Sequence, residues 1–232
     1  MILRHLFLFG WTAALVACDQ PKDDIPANAP PTSRSSASPT ILFLGTSLTA
    51  GYGIDPEQAY PALIQKKIDA AGLNYRVVNA GVSGETSAGA RRRVDWLLQQ
   101  PVAVLVVETG ANDGLRGLPA DSLRANIQAI FDQARRLQPS IKLVLVGMRI
   151  PPNYGRVYTR QFESVYPELA KSYGATLIPF LLEGVGGVSA LNQPDGVHPT
   201  AAGQRKMAET VWRALEPVLE KSERSEKSER AR

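Results

Sequence analysis

His198 and Asp195 stand three residues apart in the segment Asp195-Gly196-Val197-His198-Pro199. An imidazole is the usual general base near neutral pH. A carboxylate three residues earlier, on a loop containing Gly196, can turn back onto Nδ1 of the same ring and leave Nε2 facing outward. Such an Nε2 needs a hydroxyl, and Ser47 offers one in Gly45-Thr46-Ser47-Leu48-Thr49-Ala50-Gly51. Nucleophile, base and orienter of this kind attack acyl carbonyls. The oxyanion that forms needs N–H donors. Candidates are the Ser47 N–H, the backbone of Gly81 in Asn79-Ala80-Gly81-Val82-Ser83-Gly84-Glu85-Thr86, and the side-chain amide of Asn112 in Glu108-Thr109-Gly110-Ala111-Asn112-Asp113-Gly114. Gly81 has no Cβ to obstruct a substrate. Taken singly, each residue has a plainer reading: a structural histidine, a tight turn, a turn glycine, an asparagine bonding its own backbone. A phosphate loop is not one of them, because no Lys follows the Ser47 glycines. The GxSxG elbow is absent too.

These four segments need elements to hold them together. Ile41–Leu44 is a short apolar run that ends at Gly45, as a strand buried on both faces would be. Further strands are expected at Arg76–Asn79, Val102–Val107, Leu143–Val146 and Thr176–Ile178. Helical spacing of apolar residues covers Tyr60–Ala71, residues 87–99, Asp121–Leu137, residues 160–173 and Thr200–Leu219. Alternating strands and helices imply parallel strands joined by right-handed crossovers, hence one three-layer α/β domain over residues 40–219. Such sheets place ligands at the carboxyl ends of their strands. Three of the chemical segments follow strands directly, and the fourth precedes the last helix.

Composition narrows the possibilities. Apolar residues are 44% of the 232, enough for a core, and the net charge of +4 is too mild to indicate a nucleic-acid partner. The single cysteine, Cys18, excludes an internal disulfide, and two histidines, His5 and His198, exclude a histidine-rich metal site. Arg91-Arg92-Arg93 reads as a solvated helix face.

Residues 1–17 combine a basic start with a 12-residue apolar stretch, Leu6–Ala17, too short to span a bilayer and suited to an export signal. Leu15-Val16-Ala17-Cys18 resembles a bacterial lipobox, which implies lipidation of Cys18. Two or more acyl chains would anchor the protein stably. The expectation is an exported lipoprotein facing the periplasm or the extracellular side. Asp19 resembles an inner-membrane retention signal. The Pro- and Ser-rich stretch 18–39 reads as a disordered tether, and 220–232 as a charged, frayed tail.

In type and order the four segments resemble those of the SGNH, or GDSL-like, hydrolases, over roughly residues 41–217. The serine, glycine, asparagine and histidine of that name correspond here to Ser47, Gly81, Asn112 and His198, with Asp195 three residues upstream. Gly110–Gly117, Arg149–Gly155 and Tyr166–Lys171 look like the bacterial thioesterase I / lysophospholipase / arylesterase subgroup. The resemblance implies a flavodoxin-like α/β/α sandwich with a five-stranded parallel sheet. It also implies hydrolysis of carboxylic esters or thioesters, with no metal or organic cofactor. A monomer acting on a small acyl ester or lipid is expected.

Two positions depart from the family pattern. Thr46 replaces the usual Asp, and its hydroxyl is expected to serve as a local turn acceptor. Ala111 replaces a frequent Gly, tolerable at negative φ. Leu115, Leu118, Tyr154 and Val157 are candidates for lining an acyl cleft, or for packing on each other as a cap. Tethering to a membrane favours lysophospholipids or short-chain esters. A carbohydrate or peptidoglycan O-acetyl esterase would use the same residues. A non-catalytic binding lipoprotein would be expected to have lost one of them. A flavin binder would have no need of the Asp195–His198 pair.

Overall fold

The computed structural model describes residues 38–230. Cys18, the export signal and most of the tether lie outside them. The last two tether residues already belong to the fold: the Ser38 hydroxyl donates to Asn74, and the Pro39 carbonyl accepts from the Arg76 N–H at 2.9 Å.

Five parallel strands form one sheet: β1 (Thr40–Gly45), β2 (Arg76–Gly81), β3 (Val104–Glu108), β4 (Lys142–Val146) and β5 (Thr176–Ile178). Their spatial order is β2-β1-β3-β4-β5, the flavodoxin-like order. The register sets Phe43 beside Asn79 on one side and Val106 on the other. β1 and β3 are buried throughout, and their Val/Ile/Leu/Phe runs suit strands covered on both faces. β2 is an edge strand and only half-buried.

The connections are helical: α1 (Ser47–Ala50), α2 (Tyr60–Ala70), α3 (Ser87–Leu97), α4 (Ala111–Leu115), α5 (Ala120–Leu137), α6 (Arg156–Tyr173) and α7 (Ala201–Arg230). Right-handed crossovers put α3, α5 and α6 on one face of the sheet and α2 with α7 on the other. α5 shows why the pattern folds this way. Leu123, Ile127, Ile130, Phe131 and Ala134 recur on one helical stripe and are all fully buried. Each of the larger ones contributes about 1.5–3 kcal/mol by leaving water.

Three expectations need correction. The segment 220–230 is not frayed but continues α7, and its Glu223 accepts the Asn74 N–H at 3.0 Å. α6 begins at Arg156, four residues earlier than the apolar spacing suggested, because Gly155 at φ +88° turns the chain into it. The third concerns Arg93. Arg91 and Arg92 are solvated, but Arg93 turns inward and grips both oxygens of Glu85 at 2.7–2.9 Å.

Candidate active site

The break in strand order lies between β1, which leads leftward to β2, and β3, which leads rightward. At that point an open α/β sheet leaves a crevice beyond its carboxyl ends. Ser47 stands two residues past β1 and opens α1, and Asn112 stands in the first turn of α4 after β3.

Across that crevice comes the Asp195–His198 loop, held by its own backbone and by Gln193. The Gln193 N–H donates to the His198 carbonyl at 2.7 Å, and the Gly196 N–H to the Gln193 carbonyl at 2.9 Å. Gly196 is at φ +70°, the left-handed region that this tight turn requires. The Gln193 side-chain amide donates to the carbonyls of Tyr52 and Pro199, which ties the loop to the segment after α1. Behind it, Gln204 of α7 donates to the Leu48 carbonyl at 3.2 Å and accepts the Tyr60 N–H at 2.8 Å.

The result is a line of three groups. Asp195 Oδ2 lies 2.7 Å from His198 Nδ1, and His198 Nε2 lies 3.0 Å from Ser47 Oγ. Asp195 Oδ1 meanwhile accepts the N–H groups of Val197 and His198 at 2.9 and 3.0 Å. The His198 N–H, its side chain and the Val197 N–H together hold the Asp195 carboxyl down to about 2. It is therefore a carboxylate that can only accept. Nδ1 must carry the proton, and Nε2 is left to take the serine's. Tyr52 covers the imidazole with ring centroids 4.5 Å apart. Nothing in its spacing from His198 marked Tyr52 in the sequence.

The donor side differs from expectation at one residue. The Gly81 N–H is spent on Asn79 Oδ1 at 2.9 Å, so it does not face the crevice as a free donor. Gly81 is needed for a different reason. A Cβ there would lie 2.3 Å from the Ala50 N and 2.7 Å from its Cα, where α1 packs on β2. Gly81→Ala is expected to cost about 2–3 kcal/mol as an overpacking change, lowering Tm by roughly 5–10 °C for a domain of this size, as calorimetry will show.

Gly84 is a glycine that the sequence alone did not single out. It sits in the turn closed by Glu85 N–H to the Val82 carbonyl, at φ +77°. A Cβ there would meet nothing within 4 Å, and among the described residues its N–H has no partner. The signal was available: a glycine third in a four-residue turn marks positive φ. The Ser47 N–H heads α1 and, among the described residues, is likewise unpaired, as a first-turn N–H must be without a cap. Asn112 is oriented by one amide hydrogen, which goes to the Glu85 carbonyl at 3.0 Å and leaves the other available. Ala111 takes a helical conformation behind Gly110, which carries the positive φ of +103°. Arg93 reaches from Glu85 to the Gly45 carbonyl at 3.3 Å and so bolts the Gly84 turn to the end of β1.

The four rim candidates form two kinds of contact. Leu115, Leu118 and Val157 are exposed. Tyr154 instead donates its hydroxyl to the Leu115 carbonyl at 2.7 Å, and Tyr158 does the same to Leu118 at 2.6 Å. Tyr154 thus staples the rim, and the three aliphatic side chains are left facing out.

Thr46 does not act as a turn acceptor. Its hydroxyl donates to the Glu108 carboxylate at 3.0 Å, and it makes no side-chain cap to α1.

A parallel α/β sheet with hydroxyl, imidazole and carboxylate in line at its switch point has the architecture of an ester hydrolase. The chain belongs to the GDSL-like Lipase/Acylhydrolase family, whose model matches residues 43–206. It is 42% identical over 187 residues to the esterase TesA of Pseudomonas aeruginosa, covering 80% of this chain and 92% of that one. It is 37% identical over 190 residues to the thioesterase 1/protease 1/lysophospholipase L1 of Escherichia coli K12, covering 81% and 88%. Among solved structures, a psychrotrophic Pseudoalteromonas esterase, EstA, inhibited by monoethylphosphonate, superposes with a TM-score of 0.73 at 36% identity, covering 78% of this chain and 98% of that one. This protein is accordingly an enzyme that hydrolyses acyl esters.

Proposed function

We propose that Ser47, His198 and Asp195 carry out this hydrolysis through an acyl-enzyme. The observation that carries the assignment is the unbroken 3.0 and 2.7 Å line from Ser47 Oγ through the imidazole to Asp195. As Ser47 Oγ attacks the acyl carbon, its proton passes to His198 Nε2. The carbonyl oxygen gains the negative charge and is met by the Ser47 and Gly84 N–H groups and the Asn112 amide. His198 then gives the proton to the departing alcohol or thiol as the tetrahedral centre collapses. Water repeats the sequence on the acyl-serine and restores both side chains.

The substrates proposed are lysophospholipids, aryl esters and short-chain esters, with thioesters accepted. The exposed Leu115, Leu118 and Val157 beside the crevice support an apolar acyl group. We further propose export and anchoring through a lipid on Cys18, resting on the lipobox-like Leu15–Cys18. The test is hydrolysis of p-nitrophenyl esters from acetyl to palmitoyl by the domain from residue 38 onward and its Ser47→Ala variant. A rate that peaks at medium or long chains supports the lipid reading. Activity confined to acetyl supports the O-acetyl esterase instead.

Asn112→Ala removes a donor that acts only in the transition state, so kcat is expected to fall about 10²–10³-fold with KM little changed. Steady-state kinetics with one chromogenic ester decides it, and an unchanged kcat sinks the Asn112 assignment.

A further inference from the structure

Beneath the nucleophile lies a charged group that the mechanism above does not use. Glu108, the last residue of β3, is 1% exposed. Its Oε2 accepts the Thr46 N–H at 2.8 Å and the Thr49 hydroxyl at 2.8 Å, while the Thr46 hydroxyl lies 3.0 Å from both oxygens. Thr49 is bonded in turn to the Tyr60 hydroxyl at 2.7 Å. Thr46 and Thr49 bracket Ser47, so every one of these bonds fixes the backbone that presents the nucleophile. Gly45 is required by the same cluster, since a Cβ there would lie 1.9 Å from Thr49 Oγ1 and 2.9 Å from Glu108 Oε2.

We propose, resting on the functional reading above, that Glu108 is the positioning residue of the Ser47 turn, acting as a carboxylate that gathers the Thr46 and Thr49 donors under it.

The donor count supports a carboxylate, which can accept from all three groups at once. On protonation, a hydrogen must be placed between Glu108 and one of the threonines. The Thr49–Tyr60 hydroxyl pair can reverse to absorb it, but the turn then loses part of its grip on the acid. Among the described residues no cation offsets the charge. The groups facing it are the hydroxyls of Thr46 and Thr49 from the nucleophile turn, Tyr60 from α2 and Tyr166 from α6, and the Arg93 guanidinium reaches the Gly45 carbonyl and Glu85 instead. Burial accordingly lifts the carboxyl group to about 7, against the opposing pull of its hydrogen bonds. An acid raised in the folded state favours folding below its unfolded value, and that contribution is lost as pH rises through the folded one. Neutralising Glu108 should therefore not weaken the fold at pH 8.

The experiment uses Glu108→Gln, Thr46→Val and Thr46→Ser beside the parent and Ser47→Ala, with p-nitrophenyl ester kinetics from pH 5 to 9 and melting curves. At pH 8, Glu108→Gln is expected to melt no lower than the parent yet to lose roughly 10–100-fold in kcat at unchanged KM, the size of effect that displacement of a nucleophile produces. Thr46→Val is expected to lose about 10-fold in kcat and to move its acid limb to higher pH, because one donor to the carboxylate is gone. Thr46→Ser should recover both. Infrared difference spectra on Ser47→Ala, which need no turnover, should show a protonated-carboxyl band appearing as pH falls, absent once Glu108→Gln is added. Parental kcat in Glu108→Gln and Thr46→Val, failure of Thr46→Ser to recover, or a Glu108 protonated-carboxyl band that persists to pH 9 would overturn the proposal. If Ser47→Ala instead keeps the parent's activity, the functional reading fails, and the infrared titration still decides whether Glu108 is the carboxylate proposed.

Discussion

Ser47→Ala is expected to lower kcat for ester hydrolysis by on the order of 10⁶-fold, to the rate left by binding and the oxyanion donors alone. The size follows from how the three groups depend on one another. Without Oγ, His198 Nε2 has no proton to take, and the Asp195–His198 pair orients a base with no task. Adding His198→Ala to the same chain should therefore cost little more, which is how groups that act as one unit behave. Ser47 opens α1 at a position with no side-chain cap of its own, and its neighbours Leu48 and Thr49 are buried. The variant should melt within a few degrees of the parent, because half-buried Ser47 gives up a single side-chain hydrogen bond, to His198, worth about 0.5–1.5 kcal/mol. Stopped assays with a chromogenic ester and labelling by a fluorophosphonate probe measure both sides of this. The parent should be labelled and the variant should not. Labelling of the variant at another residue would move the nucleophile elsewhere.

Asp195→Asn is expected to cost about 10⁴-fold in kcat while the loop keeps its shape. The side-chain amide introduced there can still accept the Val197 and His198 N–H groups through its carbonyl oxygen, so the turn survives. What changes is the atom opposite Nδ1. An amide nitrogen placed there donates, Nδ1 must then accept, and the proton moves to Nε2, where it blocks the serine. pH gives an independent check. The Asp195 carboxyl is held near 2, below its ordinary value, principally by the His198 N–H. Its favourable contribution is present above the usual carboxylate range and is lost only as pH falls through about 2. The acid limb of the parent's kcat/KM therefore reports groups other than Asp195. Rate profiles of parent and Asp195→Asn from pH 4 to 9 will test this. A variant within tenfold of the parent at its best pH would remove Asp195 from the triad.

Much of this enzyme is legible in the chain itself, for physical reasons. Buried parallel strands must be unbroken apolar runs, and Ile41–Leu44 and Val102–Val107 mark β1 and β3, although β3 itself runs Val104–Glu108. Helices covering a sheet must carry an apolar stripe, and α5 has one over its whole length. The alignment of Ser47, His198 and Asp195 was readable because Ser47 follows β1 in a glycine-flanked turn and Asp195 stands three residues before His198, just ahead of α7. All three are local facts about spacing and residue type.

What the tertiary structure alone decided concerns direction and partnership. Gly81 and Gly84 are both glycines in one loop, and spacing could not say whose N–H is spent. Asn79 takes the first and no described residue takes the second, a matter of where the turn points. Arg93 looked like its two neighbours, yet only its side chain lies over Glu85. The charged end of α7 has no apolar stripe to mark it as helix, and its Glu223 is held by the Asn74 N–H, 149 positions away. Thr46 was read as an acceptor because its partner was unknown. Once Glu108 is folded beneath it, 62 residues distant, the same hydroxyl must donate. A sequence states which groups are present and how far apart along the chain. Which lone pair a hydrogen meets is fixed only when non-local strands and helices close around it.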